Sequence, residues 1–290
     1  MGSALVTGTS TGIGLATALR LARGGITTYA TMRDVGKAKA IEEASAAQAL
    51  PIKVRVLDVT QPQSVCECVE GILAETDIDI LVNNAGVAGA TPLELVEEDK
   101  HRAMFETNYF GVMRMIRAVL PQMRERRTGT IVNLSSVAGR VAIPNQVPYS
   151  ASKWALECAS EALAHEVRCF GIRVKIIEPG VIITNIFDNA AEHTVFDKGS
   201  PYADIMRRNG KFYAAGLRRA TQPDAVADTI FDAVTGDSEQ LRYLVGADAA
   251  GWVEGRAAMS DEQWVAMGDK MPADDYDAWF LKHFSIDLRG

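Results

Sequence analysis

Short apolar runs recur along the chain and alternate with longer stretches in which apolar residues return every third or fourth position. The short runs are ALVTG (4–8), TTYATM (27–32), KVRVLDV (53–59), DILVNNAG (79–86), GTIVNLSS (129–136), RVKIIEPG (173–180) and LRYLVG (241–246). Most are brief and apolar, as expected of strands buried on both faces of a parallel sheet. The longer stretches include GIGLATALRLAR (12–23), a run over 100–125, another over 149–170, and DAVADTIFDAV (224–234). Their Ala, Leu and Met content and their spacing predict helices. Gly24-Gly25 stops the first, Gly171 follows the third, and Pro223-Asp224 opens the fourth. This succession predicts an α/β fold: a doubly wound parallel sheet of about seven strands with helices on both faces.

The rhythm breaks twice. Residues 185–220 mix Phe187, Phe196, Tyr202, Met206, Phe212 and Tyr213 with glycines and charges. That pattern fits an insertion over the carboxyl edge of the sheet, and equally a surface helical pair. Residues 247–290 form a carboxy-terminal extension, acidic over 256–290 and carrying Trp264, Trp279 and Phe280. Such aromatics predict docking on the body or on a partner subunit rather than disorder. No Ser/Gly-rich linker and no repeat beyond the strand–helix rhythm interrupts 1–290, so a single domain is expected.

Composition narrows the function class. The 290 residues are 48% hydrophobic, enough for a sizeable core. No apolar run approaches the ~20 residues of a membrane span. The start, MGSALVTGTS, lacks the basic and apolar stretches of a signal peptide, so a cytoplasmic protein is expected. A net charge of −7 offers no basic surface to nucleic acid, and MRERR (123–127) reads as the end of a solvated helix. Cys66 and Cys68 form CxC in a helical stretch, where i and i+2 do not share a face. Cys158, Cys169, His101, His165, His193 and His283 are scattered, so no metal site is predicted.

The first glycine cluster changes the picture. TGTSTGIG (7–14) follows the first strand and opens the first helix. Gly8 permits a tight turn, Gly12 lets backbone approach a pyrophosphate, and Gly14 allows close helix–sheet packing, with Ser10, Thr11 and Ile13 between them. The helix then offers free N–H groups to phosphate. Placed so, the turn makes the sheet Rossmann-like and assigns it a dinucleotide. At the end of strand two an acid would bind the 2′-hydroxyl of NAD(H); Met32 stands there instead, and Arg33 follows. Arg33 can pair with a 2′-phosphate, which favours NADP(H) over NAD(H), or it is a solvated loop residue. Asp34 is positioned to cap the next turn. Asp58, beside Val59, is placed to meet an adenine amine or to cap the following helix. Asn84, Ala85 and Gly86 lie where backbone passes a cofactor, though Asn83 and Asn84 can equally pin loops.

In this order and spacing, TGxxxGxG, NNAG, YSASK, and PG with Thr184 four residues beyond Gly180 resemble the short-chain dehydrogenase/reductase family over roughly residues 3–246. TNYFGVMRMIRAVLPQMR looks most like its hydroxysteroid and retinol dehydrogenase members. The resemblance implies an Asn-Ser-Tyr-Lys tetrad. Tyr149 and Lys153 match YxxxK. The serine thirteen residues earlier is Ser136 rather than Ser135, and the asparagine within the preceding long helix is Asn108. It further implies that Lys153 binds nicotinamide ribose hydroxyls and that the Asn108 backbone holds a water in a proton relay. Pro179, Gly180, Val181, Ile182 and Thr184 would flank the nicotinamide. A homodimer or homotetramer through the helices near 100–125 and 149–170 is implied as well.

The chemistry also follows from the side chains. A free tyrosine is a poor base near neutrality. Lys153, one helical turn on, shares its face, and a nearby cation favours the phenolate. Ser136 can hold a substrate oxygen. Val141, Ile143, Val147, Ile186 and Phe187, with Val181 and Ile182, are expected to line an apolar mouth suited to a steroid-, retinoid- or aryl-ketone-like substrate. The expected function is an NADP(H)-dependent oxidoreductase interconverting a secondary alcohol and a ketone. The alternatives are an NAD-dependent dehydrogenase of similar substrates and a catalytically silent cofactor-binding sensor or scaffold.

Overall fold

The computed structural model describes residues 2–184, 198–219 and 221–289. Its first half alternates strand and helix: β1 (Ser3–Thr7), α1 (Gly12–Arg23), β2 (Thr27–Met32), α2 (Lys39–Gln48), β3 (Ile52–Val56), α3 (Pro62–Leu73) and β4 (Ile80–Asn83). A long helix follows in two pieces, α4 (Glu98–Phe105) and α5 (Val112–Arg126), joined by a π-helical stretch over Glu106–Gly111. Then come β5 (Gly129–Leu134), α6 (Val147–Val167), β6 (Ile172–Pro179), α7 (Ala203–Arg218), α8 (Pro223–Thr235) and β7 (Arg242–Val245). The chain ends in α9 (Ala249–Ala257), α10 (Asp261–Ala266) and α11 (Ala273–Phe284).

The strands form one seven-stranded sheet in the order β3-β2-β1-β4-β5-β6-β7, and every neighbouring pair is parallel. The order reverses between β1 and β4. There, two crossovers leave in opposite directions and open a crevice beyond the carboxyl ends of the strands. Alternation along β1 shows how the sheet is sandwiched. Leu5 joins a cluster with Met115, Ile131 and Leu156 on one face. Ala4 and Val6 join Leu21, Val226 and Ile230 on the other. With both faces covered, the central strands have no polar side to display, which is why they read as unbroken apolar runs.

Two elements depart from the sequence pattern. β3 is an edge strand, half exposed along its length, and ends at Val56 rather than running to Val59. Leu57, Asp58 and Val59 leave the sheet to form a lip of the crevice. The helix expected over 100–125 is interrupted by the π-helical stretch that carries Asn108. Such a local widening redirects side chains and backbone carbonyls.

The carboxy-terminal extension docks on the body. Trp252, Tyr276, Phe280 and Phe284 share one buried cluster with Val137, Val141, Ile143 and Val181, the residues at the carboxyl ends of β5 and β6. The Trp252 ring meets Phe212 of α7 edge-on at 4.6 Å and Phe280 at 5.2 Å. The tail therefore packs behind residues that line the crevice, Val137, Ile143, Val181 and Phe212 among them. No described helix is long and apolar enough to cross a membrane.

Candidate active site

The crevice at the switch point is a cleft of about 280 Å³. One half is built from backbone. Gly8 and Gly12 hold φ of +71° and +59°, a region that favours glycine. At Gly14 a Cβ would lie 2.2 Å from the Gly8 carbonyl oxygen and 2.4 Å from Asn84 Nδ2, so α1 closes on the loop only because no side chain intervenes. Ser10, Thr11 and Ile13 line the cleft with these glycines. Thr11 caps α1 without a side-chain hydrogen bond, and no acid stands in its first turn, so the amides there meet the cleft. Asn84 Nδ2 donates to the Thr7 and Gly8 carbonyls, and Thr7 Oγ1 accepts from the amides of Asn84 and Ala85, locking β1 and β4 together at the reversal. Asn83 instead bonds Asn133 in the buried sheet. This is a cradle of amides and small residues whose shape fits a dinucleotide diphosphate.

At the far end of this half, Met32 is buried and Arg33 is exposed on the rim. Asp34 is committed locally: its carboxylate accepts from Gly36 N at 2.9 Å. Asp58 lines the cleft while its Oδ1 accepts from Thr60 N and Oγ1 at 2.9 and 2.8 Å, so it serves a turn whatever else it meets. Val59, Ala85, Gly86, Pro179, Gly180, Val181, Ile182 and Thr184 also line it.

The other half holds the side chains. Ser136 leaves the end of β5 with its Oγ accepting from Ala138 N at 3.1 Å and lying 3.5 Å from the Pro179 carbonyl. Its neighbour Ser135 has a buried Oγ with no partner among the described residues. Tyr149 and Lys153 lie one turn apart on α6, with Lys153 Nζ 5.9 Å from the Tyr149 ring centre. That ammonium donates to the Leu134 carbonyl at 2.7 Å. Asn108 does not line the cleft. Its Oδ1 accepts from Val87 N at 2.9 Å, and its Nδ2 donates to the Val87 carbonyl and to Ser152 Oγ. Ser152 donates in turn to the Tyr149 carbonyl at 2.7 Å. Asn108 thus ties the β4 loop to the turn of α6 that carries Tyr149.

Burial dominates the electrostatics of this half. Tyr149 is held above the ordinary tyrosine value, because burial disfavours the phenolate more than a hydrogen bond from Ser136 favours it. Burial pushes Lys153 down to about 8, with the Glu157 carboxylate acting the other way. The Lys153 ammonium, within 6 Å of the Tyr149 ring centre, is held by the Leu134 carbonyl.

On the substrate side, Ile143 lines the cleft with Phe212 and Tyr213 of α7. Val141 does not; it is wholly buried in the cluster under the tail. Nor does Val147, which is 42% exposed at the start of α6. Pattern alone could not separate pocket from core or outer surface in an apolar run. Ile186 and Phe187 lie outside the described residues. Residues absent from the expectation also shape the site. Gln146 Nε2 donates to the Tyr213 hydroxyl at the cleft wall. Asp248, at the start of α9, accepts from Val181 N with both carboxylate oxygens at 3.1 Å and pins the loop after β6. The sequence signal for Asp248 is its place just beyond β7, two residues after Gly246.

Known proteins repeat this arrangement. A family model described as short chain dehydrogenase matches residues 3–194. The 3-ketodihydrosphingosine reductase of Bacteroides thetaiotaomicron is 37% identical over 247 residues, 83% of this chain and 87% of that protein. Retinol dehydrogenase 8 of Homo sapiens is 42% identical over 185 residues, 62% of this chain and 58% of its own length. A metagenomic short-chain oxidoreductase solved in complex with NADP superposes with a TM-score of 0.68 at 29% identity, covering 84% of this chain and 96% of that one. With its reversed parallel sheet and glycine cradle, the chain belongs to the short-chain dehydrogenase family of oxidoreductases.

Proposed function

We propose that this chain interconverts a secondary alcohol and a ketone of an apolar substrate, using NADP(H) and with Tyr149 as the general acid and base. The observation that carries the reading is convergence: Ser136, Tyr149 and Lys153 line the same cleft as the glycine cradle. When bound there, a nicotinamide cofactor supplies hydride for reduction and accepts it in oxidation. The Ser136 hydroxyl and the Tyr149 phenol hold the substrate oxygen. In reduction the phenol gives its proton to that oxygen as negative charge develops on it, and the Lys153 ammonium stabilises the phenolate left behind. In oxidation the phenolate takes the proton back. Asn108 acts through Ser152 and Val87, holding the catalytic turn of α6 against the β4 loop. An intact Tyr149 and Lys153 favour an enzyme over a silent sensor.

Preference for NADP(H) rests on the end of β2. Met32 leaves the position without a carboxylate, Asp34 is occupied by its turn, and Arg33 stands exposed on the rim. The NADP complex of the metagenomic relative supports the same choice. The apolar wall of Ile143, Val181 and Phe212 supports an apolar substrate, as do the relatives named for a ketosphingoid and for retinol. We also infer a homodimer or homotetramer, because Phe110, Val147 and Trp154 expose large apolar side chains on the paired long helices.

A ketone panel with NADPH and NADH tests the reading. Tyr149→Phe should lower turnover by about 10²–10⁴-fold while NADPH still binds. Arg33→Asp should weaken NADPH by about tenfold or more and leave NADH little changed. An active Tyr149→Phe variant, or equal losses for the two cofactors, contradicts the corresponding assignment.

A further inference from the structure

Tyr149 stands in the first turn of α6, so whatever fixes that turn fixes the phenol. On one side Asn108 and Ser152 tie the turn to the β4 loop. On the other side is Gln146, the residue that opens α6. A side chain at this place ordinarily accepts from the amides of its own helix; that of Gln146 does not. Its backbone carbonyl accepts from the Ser150 amide at 2.7 Å, while its side chain crosses to α7 and donates through Nε2 to the Tyr213 hydroxyl. Gln146 is buried, and both partners belong to the cleft wall. One turn earlier on the same face of α7, Asn209 Nδ2 donates to the Pro144 carbonyl at 2.6 Å. Between these two anchor points Asn145 holds φ of +62°, a left-handed bend that asparagine tolerates. Two side chains of α7 thus grip the loop that leads into Tyr149.

The tail holds α7 in its turn. Arg208 donates to the Met267 and Asp269 carbonyls at 2.8 and 3.0 Å, Lys211 pairs with the buried Asp277 at 2.6 Å, and the Phe212 ring meets Trp252 edge-on. Positions 209 and 213 reach the loop before α6, and 208, 211 and 212 reach the tail, so one helix bridges the two. We propose that Gln146 and Tyr213 are positioning residues for Tyr149, fastening the first turn of α6 to a helix that the tail braces. Neither delivers the proton; they fix where the Tyr149 phenol stands against the substrate oxygen. Proton transfer demands hydrogen-bond reach, and a misplacement of about 1 Å costs on the order of 10²-fold in rate. This role rests on the reading of Tyr149 as general acid and base, whereas the hold of α7 on the loop does not.

The test uses the full-length chain, NADPH and whichever ketone of the panel the wild type reduces fastest. Tyr213→Phe keeps the ring beside Phe212 and removes only the hydroxyl. It should lower kcat by about tenfold or more, with the KM for the ketone and the affinity for NADPH little changed. Gln146→Met should do the same, and the double variant should fall no further than the worse single, because both remove one bond. Asn209 does not line the cleft, so a lower kcat in Asn209→Leu reports the loop and not a lost substrate contact. Hydrogen exchange over residues 143–152 gives a readout without turnover: it should be several-fold faster in Tyr213→Phe and unchanged over β5. A KM that rises while kcat is kept makes Tyr213 a substrate contact and overturns the proposal. Losses that add in the double variant overturn it too, as does a kcat and an exchange rate that ignore Tyr213→Phe. If exchange responds but the wild type reduces no ketone, the hold of α7 on the turn stands and the oxidoreductase reading falls.

Discussion

Lys153 shows how one side chain's surroundings decide what its charge can do. It is a lysine on a buried helix face, and burial holds it near 8, below the ordinary lysine value of 10.5. The sign of the consequence follows directly. Below about 8 the ammonium is charged and can stabilise a phenolate left by proton donation; above it the charge is lost. Tyr149 moves the other way, so the phenol keeps its proton throughout that range. The kcat/KM for ketone reduction should therefore be level below pH 8 and fall about tenfold per pH unit above it. Lys153→Met should lower the plateau and abolish that limb. A wild-type profile that turns down only above pH 10 would assign the limb to Tyr149 instead. Tyr149 and Lys153 were legible as a pair one helical turn apart, and Ser136 through the family resemblance, which puts a serine thirteen residues before the tyrosine. Asp248 was not legible, because its partner Val181 is 67 residues away.

Among elements, the turn from β1 into α1 is the most tightly determined. Gly14 lies so close to the Gly8 carbonyl and the Asn84 amide that a methyl group cannot enter without moving backbone. Gly14→Ala should cost about 3 kcal/mol through overpacking, seen as a fall in Tm of roughly 5–10 °C. It should also raise the KM for NADPH, because the loop it displaces is the cradle. An unchanged Tm would show that the loop yields and that the contact does not organise the site. The π-helical stretch in the long helix lies at the other extreme. Nothing in ETNYFG breaks a helical pattern, and the widening is visible only where Asn108 reaches Val87 and Ser152 on two other elements. Apolar patterning likewise could not assign Val141, Ile143 and Val147, which went to core, cleft and outer surface respectively.

Across the whole molecule, charge and apolar surface are arranged on opposite sides of α6. Its inner face packs on the sheet, where Arg242 of β7 joins Glu157 at 3.0 Å and Glu178 at 3.4 Å, and Arg140 joins Glu178 at 2.9 Å. Burial and the neighbouring Glu157 carboxylate raise Glu178 above the usual range, and Arg140 and Arg242 act the other way beneath the Tyr149–Lys153 turn of α6. Its outer face shows Trp154, 49% exposed, beside Val147. If that face joins subunits, the 31.3 kDa chain should sediment as a dimer or tetramer, and Trp154→Glu should shift it toward monomer. A variant that sediments unchanged would remove this helix from the interface.

The sequence by itself determined the order of strands and helices, the reversal-point fold and the glycine turn, and its family resemblance pointed to Ser136, Tyr149 and Lys153. Each of these is written in local periodicity or in fixed spacing along one or two adjoining elements. Only the tertiary structure decided which apolar residues became pocket, that Asn108 bonds Ser152 and Val87, and that Asp248 pins the loop after β6. It alone joined Gln146 to Tyr213 of α7. These depend on contacts between segments dozens of residues apart, where hydrophobic burial and hydrogen-bond geometry choose partners that no short stretch of chain records.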